Sequence, residues 1–244
     1  MHDVNTQRSP TLARAALVCA VAGLVTLGAS GPLYQLELLP LGGAYAGVAI
    51  AIALALTALG IAVRLIALRP AAHAGMQPLA GALALAIAAF TIVLPARAHL
   101  RARSAPPLHD ITTDFHEPPV FTILNDVEAP SQLTRSALDD ALQRERYPDI
   151  APLVLPVPTD MAFEEVLETM TELDWPVADG SKDEGRVEVT VRSPWFGLRD
   201  DIVVRLTAVA DETRVDVRAV ARDGRNDGGR NAEHVRDFLA ELRR

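Results

Sequence analysis

Between Arg14 and Glu37 the chain reads "AALVCAVAGLVTLGASGPLYQL", with no charged residue in it. A second uncharged run, "LLPLGGAYAGVAIAIALALTALGIAV", extends from Leu38 to Val63, and a third, "PLAGALALAIAAFTIVL", from Pro78 to Leu94. A helix needs about 20 apolar residues to cross the hydrocarbon of a bilayer, with roughly 17 as the lower limit. All three runs reach that length, and consecutive runs of this kind do not suit a soluble core. The expectation is three transmembrane helices at about 15–36, 40–63 and 78–96, with the lipid bilayer as first partner.

Charge sets the expected side of the membrane. Arg8 and Arg14 precede the first run, the first loop has no Lys or Arg, and Arg64 and Arg69 flank the second loop. The positive-inside rule then makes the N-terminus and second loop cytoplasmic and everything after Leu94 extracytoplasmic, at the inner or plasma membrane. Arg97, Arg101 and Arg103 point the other way. A cleaved signal peptide is an alternative for the first run, because "LGAS" follows an apolar segment with small residues; the later chain would still lie outside. Val18 before Cys19 makes a poor lipoprotein site. Gly43 and Gly47 form a GxxxG that composition alone accounts for, and no Asp, Glu or Lys lies in mid-membrane to support an ion pathway.

Residues 1–103 form the membrane region, with seven Arg, no Lys, Asp3 and Glu37, a formal +5. That leaves 16 of the 23 basic and 29 of the 31 acidic residues to 104–244, a formal −13. An acidic domain without a Lys/Arg block repels nucleic acid, so no nucleic-acid partner is expected. The single Cys19 excludes a disulfide framework within the chain and a thiolate metal cluster.

In 104–146, two Pro pairs with Asp and Thr favour extended and irregular chain, followed by a short polar helix in "SQLTRSALDDALQRER". The domain proper is expected over 147–244. "YPDIAPLVLPV" reads as an edge strand because of its prolines. Phe163, Val166, Leu167, Met170 and Leu173 recur at helical spacing, with Thr159 or Asp160 as cap and Trp175–Pro176 as stop. "EGRVEVTVRSPW", "DDIVVRLTAVAD" and "TRVDVRAVARD" alternate with period two, the last two as a hairpin. "NAEHVRDFLAELRR" is an amphipathic helix with Asn231 as N-cap. The fold class is therefore α+β: a C-terminal antiparallel sheet with two helices on one face, preceded by three transmembrane α-helices.

The segments "HDITTDFHEPPVF", "YPDIAPLVL", "LDWPV", "GRVEVTVRSPWFGLRDDIVVRL" and "RVDVRAVARDGRNDGGRNAEHVRDFL" resemble the bacterial and plastid family named domain of unknown function 1499. The last of them is similar to that family's pattern DVRSxSRxGxSDxGxNAxRIRxFL. Ala219 and Ala221 stand where small hydroxyl residues are usual, Asn226 where Ser is, and His234 where Arg is common. The resemblance covers nearly all of 106–242. It implies a domain outline and a frequent membrane or exported setting, and it brings no activity.

The polar face of the alternating strands holds Glu188, Thr190, Arg192, Asp201, Arg205, Asp216, Arg218 and Arg222. Three readings stand open: a solvated face with cross-strand ion pairs; a network in which Asp110, Asp114 or Asp126 folds back onto the arginines; and a groove whose guanidiniums hold a carboxylate or phosphate. The candidate ligand-binding residues are Asp114, Arg205, Asp216, Arg218, Arg222, Asp227 and Asn231. The last two belong to "RDGRNDGGRN", which reads first as capping of the final helix and second as an anion nest. No catalytic residue is assigned, because GxSxG, a Cys/His pair and HExxH are missing. Asp200 and Asp201 point to opposite faces of a strand and do not form an acid–base pair. "HDITTDFHE" lacks regular ligand spacing, so neither a metal nor a cofactor is expected.

The reading of the whole is an integral membrane protein of the cell envelope that displays an extracytoplasmic binding or interaction domain for an envelope ligand or a membrane-protein partner. Two alternatives remain: an envelope enzyme using Asp114, Arg205, Asp216 and Arg218, and an accessory subunit of a membrane complex.

Overall fold

Three long apolar runs must satisfy their backbone groups internally, and the α-helix does so within one segment. A computed structural model describes residues 4–67, 77–124, 135–222 and 226–244, with Asp126 outside them. Its first three elements are the helices α1 (Val4–Gln35), α2 (Leu41–Ala67) and α3 (Gln77–Ser104). All three are long and apolar enough to cross a membrane, with mean hydropathy of 2.0, 2.5 and 2.3. The third runs past the expected end at residue 96: Pro95 is accommodated inside it, and Arg101 and Arg103 occupy its last turn. The chain divides into two compact units, Met1–Leu100 with Pro194–Gly197, and Arg101–Ser193 with Leu198–Arg244.

Within the first unit, small residues let backbones approach. Ala16, Ala20, Ala55, Ala58, Ala84 and Ala88 are fully buried together. A Cβ at Gly23 would stand 3.0 Å from the Ala51 carbonyl oxygen, and one at Gly47 would stand 2.5 Å from the Ser30 hydroxyl. Gly47 is thus a packing position of α2 against α1, whereas a Cβ at Gly43 meets its own neighbours Leu39 and Pro40.

The second unit is built on an antiparallel sheet of six strands: β1 (Asp110–Thr112), β2 (Leu153–Leu155), β3 (Val177–Ser181), β4 (Arg186–Arg192), β5 (Arg199–Val209) and β6 (Glu212–Ala221). The order is β1-β6-β5-β4-β3, and β2 also pairs with β6. β1 lies against Arg218–Val220 and β2 against Thr213–Val215, so the two short strands share one edge of β6 end to end. A two-residue turn, Ala210–Asp211, closes the β5–β6 hairpin; Ala210 takes a φ of 54° there.

One face of the sheet is the expected valine face. Val187, Val189, Val191, Ile202, Val204, Leu206, Val215, Val217 and Ala219 form one core with helices α5 (Thr159–Glu172) and α6 (Arg230–Glu241). Ala162, Phe163, Val166 and Met170 supply the buried stripe of α5. Ala232, Val235, Phe238 and Leu239 supply that of α6. Burying a side chain of this size contributes about 1.5–3 kcal/mol.

Several local expectations are corrected. The cap of α5 is Pro158, with no side-chain hydrogen bond, and Thr159 is the first helical residue. Proline's fixed φ already sets the extended approach to a helix. The helix ends at Glu172, before Trp175, because Asp174 takes a φ of 60°. The N-cap of α6 is Gly229 at φ 88°, not Asn231, and the Asp227 carboxylate accepts from the N–H groups of Gly229 and Asn231. The polar helix shortens to α4 (Ala137–Arg146), started by a capping box between Ser136 and Asp139. Strands β1 and β3 were not anticipated.

Candidate functional site

The opposite face of the sheet is covered by residues of the 113–124 stretch. Phe121 packs on Val203 and Val220. Glu188, on β4, is fully buried and accepts from three consecutive backbone N–H groups, those of Thr122 at 2.6 Å, Ile123 at 3.1 Å and Leu124 at 2.8 Å. Arg186 donates to the same carboxylate at 2.6 Å. The strands alternate as expected, but their buried carboxylates Glu188, Asp201 and Asp216 do not face water.

Strand periodicity aligns Arg214, Asp216 and Arg218 on this face of β6, and register places Arg205 of β5 opposite Asp216. Arg205 donates to Asp216 at 3.1 Å and to Asp114 at 3.0 Å. Arg214 donates to the same two carboxylates, and the Thr113 hydroxyl donates to Asp216. Asp114, Arg205 and Asp216 are therefore brought together, with Arg214 as the member that sequence reasoning missed. Its signal was present, since 214 shares the phase of 216 and 218.

Arg218 belongs to a neighbouring cluster. It holds Asp110 through two nitrogens at 3.1 and 2.7 Å, while Arg135 reaches the same carboxylate at 3.0 Å. Gln143 of α4 is buried beside them; its amide donates to the Thr112 carbonyl at 2.7 Å and accepts from the Thr112 N–H at 3.2 Å. A side-chain amide thus completes the outer edge of β1 as a further strand would. Nothing in the local sequence marks Gln143 for that place.

Arg222 pairs with Asp201, which also accepts from Thr190. Asp200 turns to the other face, where Arg230 grips it with two bonds of 2.8 Å and His234 lies at 3.3 Å. Asp227 and Asn231 sit at the start of α6, and the Asn231 amide donates to the His109 carbonyl at 2.8 Å. The seven candidate residues thus fall into four places. Among the described residues no group of three His, Cys, Asp or Glu is placed to hold a metal.

The buried carboxylates differ in their acid–base behaviour. Burial acts to raise the Asp200 pKa, but hydrogen bonds and charge from Arg230 and His234 outweigh it and hold the carboxyl below the ordinary 3.8. Asp114 is also held below 3.8: burial opposes this, and the N–H groups of Glu117 and His116 with the charges of Arg214 and Arg205 prevail. Asp227 is raised, chiefly by burial, with a further contribution from Asp200 that its two N–H donors and Arg230 do not cancel. By linkage, the stabilisation from Asp200 and Asp114 is present above the unfolded value and is lost as pH falls below about 3.9. The cost of ionised Asp227 has the opposite sign and disappears as pH falls from its raised value toward that point. Urea midpoints measured against pH are expected to rise slightly on mild acidification and then fall below about pH 4. Asp227→Asn removes the rise and leaves the fall.

No curated protein matches the chain. The family model described as Protein of unknown function (DUF1499) matches residues 110–242. That match begins at Asp110, the carboxylate shared by Arg218 and Arg135, and ends at Leu242, the C-cap of α6. The sheet, both core helices and the paired polar face all lie within it, and the chain belongs to the DUF1499 family of proteins of unknown function.

Proposed function

We propose that this protein is an integral membrane protein of the cell envelope whose α+β domain is displayed outside the cytoplasm as a binding module. The observation that carries the binding reading over a catalytic one is that both carboxylates of the cluster, Asp114 and Asp216, are each held by Arg205 and Arg214. A general acid or base needs a reacting atom within hydrogen-bond reach, and here the chain's own guanidiniums take the carboxylate oxygens. The polar face then acts as an internal clasp that fixes the 113–124 stretch, and ligand recognition falls to the exposed surface of the domain.

The outward orientation is supported by the loop charges around Arg14, Arg64 and Arg69 and by three helices, an odd number, between the N-terminus and the domain. A C-terminal alkaline phosphatase fusion is expected to be active in intact cells, and a C-terminal fluorescent fusion that matures only in the cytoplasm is expected to be dark. The reverse pair of results overturns the orientation.

A further inference from the structure

Arg135, Arg186, Arg205, Arg214, Arg218, Arg222 and Arg230 face carboxylates across short, partly buried pairs. A different arrangement lines a cleft of about 250 Å³, whose walls include Arg101, Arg146, Tyr147, Gly229, Glu233 and Arg236. Arg236 is held by Asp149 through two nitrogens and lies 5.0 Å from the Tyr147 ring centroid, which fixes that wall. Arg101 and Arg146 are different. Arg101 is 80% exposed and meets Glu233 at 3.4 Å, and Arg146 is 53% exposed with Glu145 at 3.9 Å. Among the described residues, three guanidiniums therefore face one lining carboxylate, and two of them retain most of their donor capacity.

The remaining wall suits the same kind of ligand. Burial, the leading cause, keeps the Tyr147 phenol above its ordinary pKa of 10.0, so it stays a hydrogen-bond donor. Gly229 adopts a φ of 88°, and a Cβ there would stand 3.5 Å from the Tyr147 oxygen. Glycine keeps that side of the cleft clear. The volume is below the ~300–1,000 Å³ usual for drug-sized ligands, which fits a compact anion better than an acyl chain.

Position indicates which anion. Arg101 and Ser104 come from the last turn of α3, the third apolar helix, which begins its apolar stretch at Leu79. A helix crosses the hydrocarbon in about 20 residues, so Arg101 falls in the headgroup layer, where lipid phosphates are the abundant anions. Guanidinium forks bind phosphate oxygens in pairs. We infer that this cleft binds a phosphate group, presented by an anionic lipid headgroup or by a free phosphate ion. The inference rests on the binding-module reading, and it gives Arg101 a use on the side that loop charge bias disfavours.

The test uses the full chain in detergent micelles, titrated calorimetrically with dihexanoyl phosphatidylglycerol, dihexanoyl phosphatidylcholine and inorganic phosphate. Phosphatidylglycerol is expected to bind more tightly than phosphatidylcholine, and Arg101→Ala with Arg146→Ala is expected to weaken it about tenfold or more. Both side chains are exposed, so the variant keeps its fold, which an unchanged thermal midpoint verifies. If inorganic phosphate binds at least as tightly as the lipid and displaces it, the phosphate site stands with a free ion as its source. Absence of binding by all three probes, or an affinity unmoved by the double substitution, overturns the inference. Phosphorus NMR of the recovered lipid separates the two readings: an intact ester agrees with a binding module, whereas cleavage overturns that reading and leaves the phosphate site standing.

Discussion

Glu188→Ala is expected to destabilise the second unit by about 3–5 kcal/mol, the range for removing one partner of a buried charged cluster. The residue is fully buried, and its two oxygens accept from the N–H groups of Thr122, Ile123 and Leu124 and from Arg186. Alanine leaves three backbone donors facing a void, each of which lost its water on folding. Glu188→Gln is not a rescue, because its amide would turn a second set of donors toward those N–H groups. Urea unfolding of the full chain in detergent, followed by tryptophan fluorescence, measures the loss. Limited proteolysis should also show new cleavage between Pro119 and Leu124. A loss below about 1 kcal/mol would mean that Phe121, packed on Val203 and Val220, holds this stretch without the carboxylate.

Asp110→Asn is expected to cost a similar amount, about 3–5 kcal/mol, with almost no change in shape. Asp110 is 5% exposed, and it lies between Arg218 at 12% and Arg135 at 6%. Arg135 keeps Asp140 at 2.9 Å, but Arg218 loses the carboxylate that two of its nitrogens grip and is left close to Phe121, 5.8 Å from the ring centroid. The loss reports charge and not packing, so Asp110→Leu combined with Arg218→Met should recover part of it. A double-mutant cycle between Asp110 and Arg218 read by urea midpoints is expected to give a coupling of at least about 1 kcal/mol. Additive effects would assign the cost to Arg135 instead.

Both predictions concern residues whose partners were only partly legible beforehand. Period-two alternation in "GRVEVTV", "DIVVRL" and "RVDVRAV" separated the valine face from the polar face, because successive strand side chains point to opposite sides. Helical spacing identified Phe163, Val166, Met170, Val235, Phe238 and Leu239 as core. The same phase argument applied to Arg214 would have completed the Asp114 cluster. Alternation does not tell whether a polar face meets water or another part of the chain. That choice depended on residues 113–124, which lie more than 60 positions before β4, and on Gln143, whose role comes from lying beside β1. Strand β3, "VADGS", escaped notice because Gly, Asp and Ser disfavour strands; its pairing with β4 holds it in place.

The sequence by itself determined three helices with the length and apolarity to cross a membrane, the α+β class and the side of the sheet that builds the core. Each of these is a short-range pattern of hydropathy, and burial of apolar surface responds to pattern whatever the partner. Only the tertiary structure decided which arginine meets which aspartate, that the polar face is covered, and that Arg101, Arg146 and Arg236 line one cleft. An ion pair depends on separations of a few ångströms between residues distant in the chain, and register and loop path set those distances.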